Sequence, residues 1–263
     1  MNQEKFGRLL RQQGEELYRD MPWRQDTKAY YVLVSELMLQ QTQVDRVIPK
    51  FETFTLKFPD EKALAAASLA DILKEWQGLG YNRRAKFLHE AAKRIVKLGG
   101  FPSDETGLVS LPGVGKNTAG AILAYAYNQP AIFIETNVRA VYIHHFFADS
   151  DQVDDKDIRA VLEQTLDREH AREFYWALMD YGSWLKKQGI KPGRSKHYKK
   201  QSPLKGSVRE VRGQIVKILA GGGQDETLLR NQLHADERFE SALKGLIKDG
   251  LVVVEKDSLY LTK

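Results

Sequence analysis

From the N-terminus to about residue 190, apolar residues recur at intervals of three and four, and the period changes to two only near the C-terminus. That spacing gathers the apolar side chains of each segment on one helical face, so most of this chain must fold by packing helices on helices. Pro22, Pro49, Pro59, Pro102, Pro112 and Pro130 punctuate the series, which suits a globular all-α protein of short helices. Helices are predicted at about 2–19, 28–40, 43–57, 61–66, 69–77, 82–98, 104–109, 116–127, 136–147, 155–165 and 170–185. Ser68 and Thr136 are expected as N-caps, since their hydroxyls accept from free first-turn amides. No internal repeat is visible.

Between Lys186 and Arg212 the composition shifts. Lys186, Lys187, Lys191, Arg194, Lys196, Lys199, Lys200, Lys205, Arg209 and Arg212 face almost no acid, and Pro192, Gly193, Pro203 and Gly206 are interleaved. The stretch reads either as a solvated tether or as a segment that tracks phosphates. Beyond it, VREVRGQIVKILA, DETLLRNQL and ERFESALKGLIKDG read as three helices, with a turn at Gly221 to Gly223. LVVVE and SLYLT then flank Lys256 and Asp257 as a β-hairpin, which predicts a winged-helix domain over 207–263. Its third helix mixes Arg238, Lys244 and Lys248 with Glu237, Glu240 and Asp249, so a basic recognition helix is not obvious.

The 263 residues suffice for two or three folding units, and Lys and Arg number 40 against 35 Asp and Glu. The resulting charge of +5 suits a polyanionic partner. There is no cysteine, which excludes disulfides, thiolate zinc sites, iron–sulfur clusters and cysteine nucleophiles from this polypeptide. The N-terminus is polar and amphipathic, and no stretch approaches the roughly 18 apolar residues of a membrane span. A soluble cytoplasmic, nucleoid-associated protein without membrane contact is expected.

The most specific local pattern is LPGVGKNTAG, Leu111 to Gly120, between two helical segments. Pro112 fixes a turn, while Gly113 and Gly115 let the backbone approach a ligand and leave free amides at the start of the next helix. Such a turn is either an anion site or a tight helix–helix connection. The match does not stop there: PWR at Pro22 to Arg24, SELMLQQTQV at Ser35 to Val44, GLGYNRRAKFLHEAA at Gly78 to Ala92, ETNVRAV at Glu135 to Val141 and ALMDYG at Ala177 to Gly182 follow in order. On these motifs the chain resembles the helix-hairpin-helix DNA glycosylases, and within them the A/G-specific adenine glycosylases of the MutY type, over roughly Met21 to Leu185.

The resemblance implies a two-lobed all-α core over 1–200. About 22–128 would form an inserted lobe, 1–21 would rejoin 129–200, and the cleft between lobes would hold both Glu36 and Glu135. It also implies a monomer that binds double-stranded DNA containing a mismatch or lesion and flips the target base out, since the glycosidic bond is otherwise buried in the stack. Gly113, Gly115, Lys116 and Thr118 would grip the backbone, with an alkali-metal ion on the carbonyls of Leu111 and Gly113. Glu36 lies in a stretch that is apolar apart from Ser35 and the glutamines, and apolar surroundings keep a carboxyl protonated and able to donate. Read alone, it is equally a solvent-facing helix residue; by resemblance it protonates N7 of the flipped adenine.

Glu135 follows AIFI at a predicted helix start, where an anion is favoured and would stay ionised to stabilise a positively charged sugar. The family has aspartate here, so this arm is longer by one methylene. Asn137 would orient Glu135 and the sugar. Gln41 corresponds to a wedge that fills the gap left by the flipped base, and Tyr81 to a tyrosine beside the opposite base. Thr42 and Leu79 complete the candidates for reading that base. Trp23 and Arg24 match residues at the adenine pocket and Asp180 an acid that contacts the base, although Trp23, Trp176 and Tyr81 also suit core packing. His144 and His145, within YIHHFF, read as core or surface histidines.

Three departures qualify the resemblance. Relatives that also cut the strand carry a Schiff-base lysine where this chain has Asn117, and Lys116 is rotated about 100° away, so a monofunctional glycosylase is expected. Most relatives hold a 4Fe–4S cluster on four cysteines just after ALMDxG; here GIKPGRSKHY follows Leu185, Lys186, Lys187 and Gln188, so no cofactor is expected and the basic loop keeps the electrostatic role. MutY proteins end in a Nudix-like domain, where this chain runs into the predicted winged helix. Two alternatives stay open: a glycosylase of the same fold acting on thymine, uracil or hypoxanthine, and a non-catalytic DNA-binding protein.

Overall fold

A computed structural model describes residues 1–190, 193–197, 202–256 and 258–263. Lys191, Pro192, Lys199 and Lys200 of the basic segment, and Asp257 of the hairpin turn, lie outside the described residues. The helices run α1 (Gln3–Glu16), α2 (Pro22–Gln25), α3 (Ala29–Leu39), α4 (Val44–Lys57), α5 (Glu61–Ala66), α6 (Leu69–Glu75), α7 (Arg83–Leu98), α8 (Glu105–Val109), α9 (Lys116–Tyr127), α10 (Thr136–Phe146), α11 (Asp155–Thr165) and α12 (Ala171–Lys187). Then come α13 (Val208–Leu219), β1 (Gln224–Asp225), α14 (Glu226–Gln232), α15 (Glu237–Lys248), β2 (Val252–Glu255) and β3 (Ser258–Leu261). None of the described helices is long and apolar enough to cross a membrane.

Local chemistry sets most of these ends. Asn2, Asp60, Ser68, Asp104, Asp154, Asp225 and Asp236 each accept a first-turn amide at an N-cap. Gly99 at φ 79° and Asn128 at φ 51° close α7 and α9 in the left-handed region. Three boundaries differ from the sequence expectation. Thr136 is not an N-cap: it is already helical, and the extended residue before it, Glu135, occupies the N-cap position of α10. Pro22 opens the one-turn α2 instead of merely breaking the pattern, its missing N–H costing nothing at a helix start. The two-residue β1 joins the hairpin to make a sheet of order β1-β3-β2, all antiparallel, and two residues are too few to show a period.

The chain forms two compact units. The first comprises residues 1–33, 102–110 and 114–200. Here α12 is the central helix and packs on α1, α9 and α10. Gly14 lets α1 close on Ala177, where a Cβ would stand 2.8 Å from that methyl, and Gly182 lets α12 close on α10, where a Cβ would stand 2.5 Å from the Asn137 carbonyl. Phe133 stacks on Tyr175 at 4.0 Å, and Phe6 meets Phe146 and Tyr142 edge-on or tilted. The second unit comprises residues 34–101, 111–113 and 201–263. In it α5 and α6 pack on α7, and α13 packs on α15. The winged-helix elements share this unit: Lys86 of α7 donates to the Asp249 carbonyl at 2.8 Å, and Arg83 approaches the Asp249 carboxylate at 3.5 Å.

Candidate active site

Glu36 is the only charged residue of α3, and Val34, Leu37 and Met38 around it in sequence are each fully buried. It occupies the one partly exposed position of that turn. The end of α3 is held by Arg84. Its guanidinium, buried in α7, donates to the carbonyls of Leu37 (2.7 Å), Met38 (2.9 Å), Gln40 (2.5 Å), Leu79 (3.1 Å) and Gly80 (2.9 Å) and to the Thr42 hydroxyl (3.2 Å). A helix ends with four unpaired carbonyls, and one guanidinium fork satisfies several of them at once. Burial pushes Arg84 down to about 10, which still leaves it charged at neutral pH. The sequence reading missed this residue, because a buried arginine looks the same in sequence as an exposed one.

The Arg84 fork arranges the four expected opposite-base readers differently from the sequence expectation. Gln41 and Tyr81 are exposed and adopt φ of 61° and 48°, in the left-handed region that non-glycine residues seldom use. Leu79 is 3% exposed and so reads no base: its side chain is core, and its carbonyl accepts from Arg84 and Thr42. The Thr42 hydroxyl is likewise spent on Leu79 and Arg84, so Thr42 staples the two loops together.

The hairpin turn joins α8 to α9. Gly113 sits at φ 78°, and a Cβ there would stand 2.6 Å from Phe87, so glycine is required twice over. Gly115 is the N-cap of α9, with no side-chain cap and open space where a Cβ would point. Its free neighbourhood and the unpaired first-turn amides fit an anion. Lys116 is exposed, whereas the Thr118 side chain is buried and offers only its amide. Asn117, at the position where strand-cutting relatives carry lysine, donates to the Ile134 carbonyl at 3.0 Å and ties α9 to the segment that ends in Glu135.

Glu135 makes no capping hydrogen bond of its own. Burial pushes its carboxyl above the ordinary carboxylate range, against the pull of Arg139 and Lys186. Burial thus works against the ionised form, and Arg139 and Lys186 work for it. Arg139 is itself engaged by Asp155 at 2.8 and 2.7 Å. Lys186, taken from composition as part of the tether, is instead in the last turn of α12 and partly buried; burial and Arg19 pull it down, while Glu135 pulls it up. The available signal was its spacing of four from Gly182, which puts both on one helix face. Asn137 donates to the Met179 sulfur at 3.5 Å, and its Oδ1 is buried without a partner.

Asp180 and Arg24 are each 1% exposed at the side chain and pair at 2.7 and 3.1 Å. Arg19 adds a third bond at 2.6 Å, and the Arg24 guanidinium lies over the rings of Tyr18 and Trp176. The expected contact of Asp180 with a base is thus replaced by an internal ion triad, because both its oxygens are already used. Trp23 is 7% exposed in α2, beside Arg24. His145 shares a hydrogen bond with Tyr181 at 2.9 Å and is pushed down to about 4 by burial. No group of three or more potential metal ligands occurs among the described residues.

With no cysteine in the chain, the segment after α12 has no thiolates for an iron–sulfur cluster. Backbone bonds tie its described residues 194–196 to the turn before α11. Val153 donates to the Arg194 carbonyl at 2.9 Å and accepts from Lys196 at 3.1 Å, forming a parallel bridge with Ser195. Arg194 donates to the Ala148 and Ser150 carbonyls, and Lys196 and His197 flank Asp154.

Free amides at the start of α9, reached through the glycine turn, suit a phosphate of a nucleic-acid backbone. Comparison with known proteins agrees. A family model described as HhH-GPD superfamily base excision DNA repair protein matches residues 34–168. Adenine DNA glycosylase of Mycobacterium tuberculosis (strain ATCC 25618 / H37Rv) is 34% identical over 92% of this chain and 88% of its own length. Adenine DNA glycosylase of Mycolicibacterium smegmatis is 34% identical over 92% and 90%. The solved structure of a thermostable thymine-DNA glycosylase superposes with a TM-score of 0.64 at 26% identity, covering 69% of this chain and 86% of that one. The chain belongs to the HhH-GPD superfamily of base excision DNA repair proteins and is a DNA N-glycosylase.

Proposed function

We propose that this glycosylase excises adenine mispaired with guanine or 8-oxoguanine in double-stranded DNA, acting as a monomer on the cytoplasmic chromosome and using water as the nucleophile. The observation that carries the reading is Glu36, the one charged residue of α3, partly exposed between buried Ser35 and Leu37. A general acid placed there must carry a proton in order to donate it. Glu36 protonates N7 of the flipped adenine and makes the base a better leaving group. Glu135, whose carboxyl burial raises while Arg139 and Lys186 pull it back down, stabilises the positive sugar in its ionised form as the bond breaks. The unpartnered Oδ1 of Asn137 orients the sugar or the attacking water. Asn117 in place of a lysine leaves no amine there for a Schiff base.

Gly113, Gly115, Lys116 and the Thr118 amide hold the strand, and the Leu111 and Gly113 carbonyls are suited to an alkali-metal ion. Arg24 and Asp180 act by fixing α2, and with it Trp23, against α12. Adenine is favoured by the relatives of that name, whose alignment spans 92% of this chain. The glutamate at position 135 and the likeness to a thymine-DNA glycosylase support a second reading, in which thymine, uracil or hypoxanthine is excised. Single-turnover assays on duplexes with A·8-oxoG, A·G, T·G, U·G and hypoxanthine·C separate the two. Release of adenine from the first two duplexes is expected. Release confined to the other three would replace the reading, and release from none would leave a DNA-binding protein.

A further inference from the structure

An adenine glycosylase cannot recognise an error by the base it removes, because adenine is an ordinary base. The information lies in the partner across the duplex, which flipping leaves unpaired. Among the four residues first expected to read that partner, Leu79 is core and Thr42 is a staple, so the protein needs a further donor beside Gln41 and Tyr81. The second unit supplies one. An open cavity of about 420 Å³, roomy enough for a purine, is lined in part by Gln41, Tyr81, Arg83, Arg209, Arg212 and Gly213.

Arg209 comes from the first turn of α13, in the C-terminal winged-helix segment. Its guanidinium lies 5.0 Å from the centre of the Tyr81 ring and donates to the Tyr81 hydroxyl, while Nη2 donates to the carbonyls of Ser202 (2.8 Å) and Pro203 (3.3 Å). Arg212 and Arg83 share the single carboxylate of Asp249. Arg209 has no such carboxylate among the described residues. It is therefore a charged, planar donor preorganised on an aromatic face, in a cavity where Gln41 and Tyr81 adopt the left-handed backbone that non-glycine residues seldom use. That chemistry fits a base with acceptors on its major-groove edge. Guanine and 8-oxoguanine share the O6 acceptor there, whereas cytosine presents an amino donor that an arginine repels.

We propose that this cavity takes the unpaired opposite base against Tyr81, and that Arg209 selects a guanine-type purine through its O6 edge. The inference rests on the adenine-excision reading above. Its test uses Arg209→Lys and Arg209→Ala with duplexes carrying adenine opposite guanine, 8-oxoguanine or cytosine. Binding is measured in the Glu36→Gln background and adenine release in the otherwise unmodified enzyme. The parent protein is expected to prefer guanine and 8-oxoguanine partners over cytosine, and both variants to cut that preference about 10- to 100-fold. Arg209→Lys keeps the charge, so it should keep the salt dependence of binding while losing the preference.

Unchanged preference with a uniform loss of affinity overturns the proposal, since Arg209 would then be a phosphate contact. A parent protein that binds all three duplexes equally overturns it as well. A binding preference that collapses in the variants, in a protein that releases no adenine, defeats the excision reading and leaves Arg209 as the reader. Adenine release with a preference untouched by either variant is the reverse outcome.

Discussion

Replacing Asp180 by asparagine removes a negative charge from the site where the structure can least compensate for the loss. Arg24, its partner, is 1% exposed at the side chain and cannot reach water. Removing one member of a fully buried ion pair strands the other charge, which typically costs about 3–5 kcal/mol. The asparagine oxygen still accepts one bond, and the more exposed Arg19 can turn outward, so the lower end, about 3 kcal/mol, is expected. For a chain of this size that lowers Tm by roughly 6–12 °C. Thermal unfolding followed by circular dichroism reads the shift directly. Single-turnover base release at a temperature where the variant is folded then separates the triad from the substrate-contact reading, which requires an unchanged Tm and a lost rate. A double variant, Arg24→Met with Asp180→Leu, removes both charges and should recover much of the loss. An Asp180→Asn protein that melts within about 1 °C of the parent refutes the reasoning.

Three further outcomes are expected. Arg84→Lys replaces a fork with six partners by an ammonium with three donors. Urea titration should show a loss of about 2–4 kcal/mol, and a midpoint shift no larger than the fitting error would contradict the role assigned to the fork. The Glu135 carboxyl is raised by burial above its ordinary value of 4.5, so the stability it contributes is complete below that value and is lost as pH rises through the higher folded-state value. Glu135→Gln should remove this pH dependence, becoming more stable relative to the parent as pH increases; a constant difference across pH 4 to 8, a window on the order of the usual acid limb, counts against it. Gly182→Ala puts a methyl 2.5 Å from the Asn137 carbonyl. It should destabilise by about 1–3 kcal/mol and slow base release by moving Asn137, whereas a parent-like melting curve and rate would show that α10 and α12 have slack.

Helices such as α1, α4, α7 and α15 were readable because each carries its apolar residues on one face, and Ser68 was readable as a cap because its hydroxyl is followed by a helical run. Position 136 misled for the opposite reason. Threonine is the better capping residue by chemistry, yet the backbone at Glu135 is the one that stays extended. The two glutamates were visible through the motifs around them. What the motifs did not carry was the use made of each side chain. Asp180 looks like a free acid in sequence and is saturated by two arginines. Leu79 looks like an exposed loop residue and is core. Arg84 stands in a basic run and holds six acceptors, and Lys186 looks like the start of a tether and faces Glu135. Each depends on contacts between residues far apart in the chain, which periodicity and local composition do not record. The winged-helix elements were legible from the change of period, whereas the placement of Arg209 beside Tyr81 follows only from tertiary packing.

Glu36 is the residue on which the excision chemistry depends. Single-turnover release of adenine from an A·8-oxoG duplex, compared between the parent and Glu36→Gln with duplex affinity measured for both, tests it most directly. Loss of a general acid is expected to slow release by about 10²- to 10⁴-fold with affinity unchanged. A Glu36→Gln protein that releases adenine at the parent rate would show that proton donation comes from elsewhere and would remove the central residue from the mechanism.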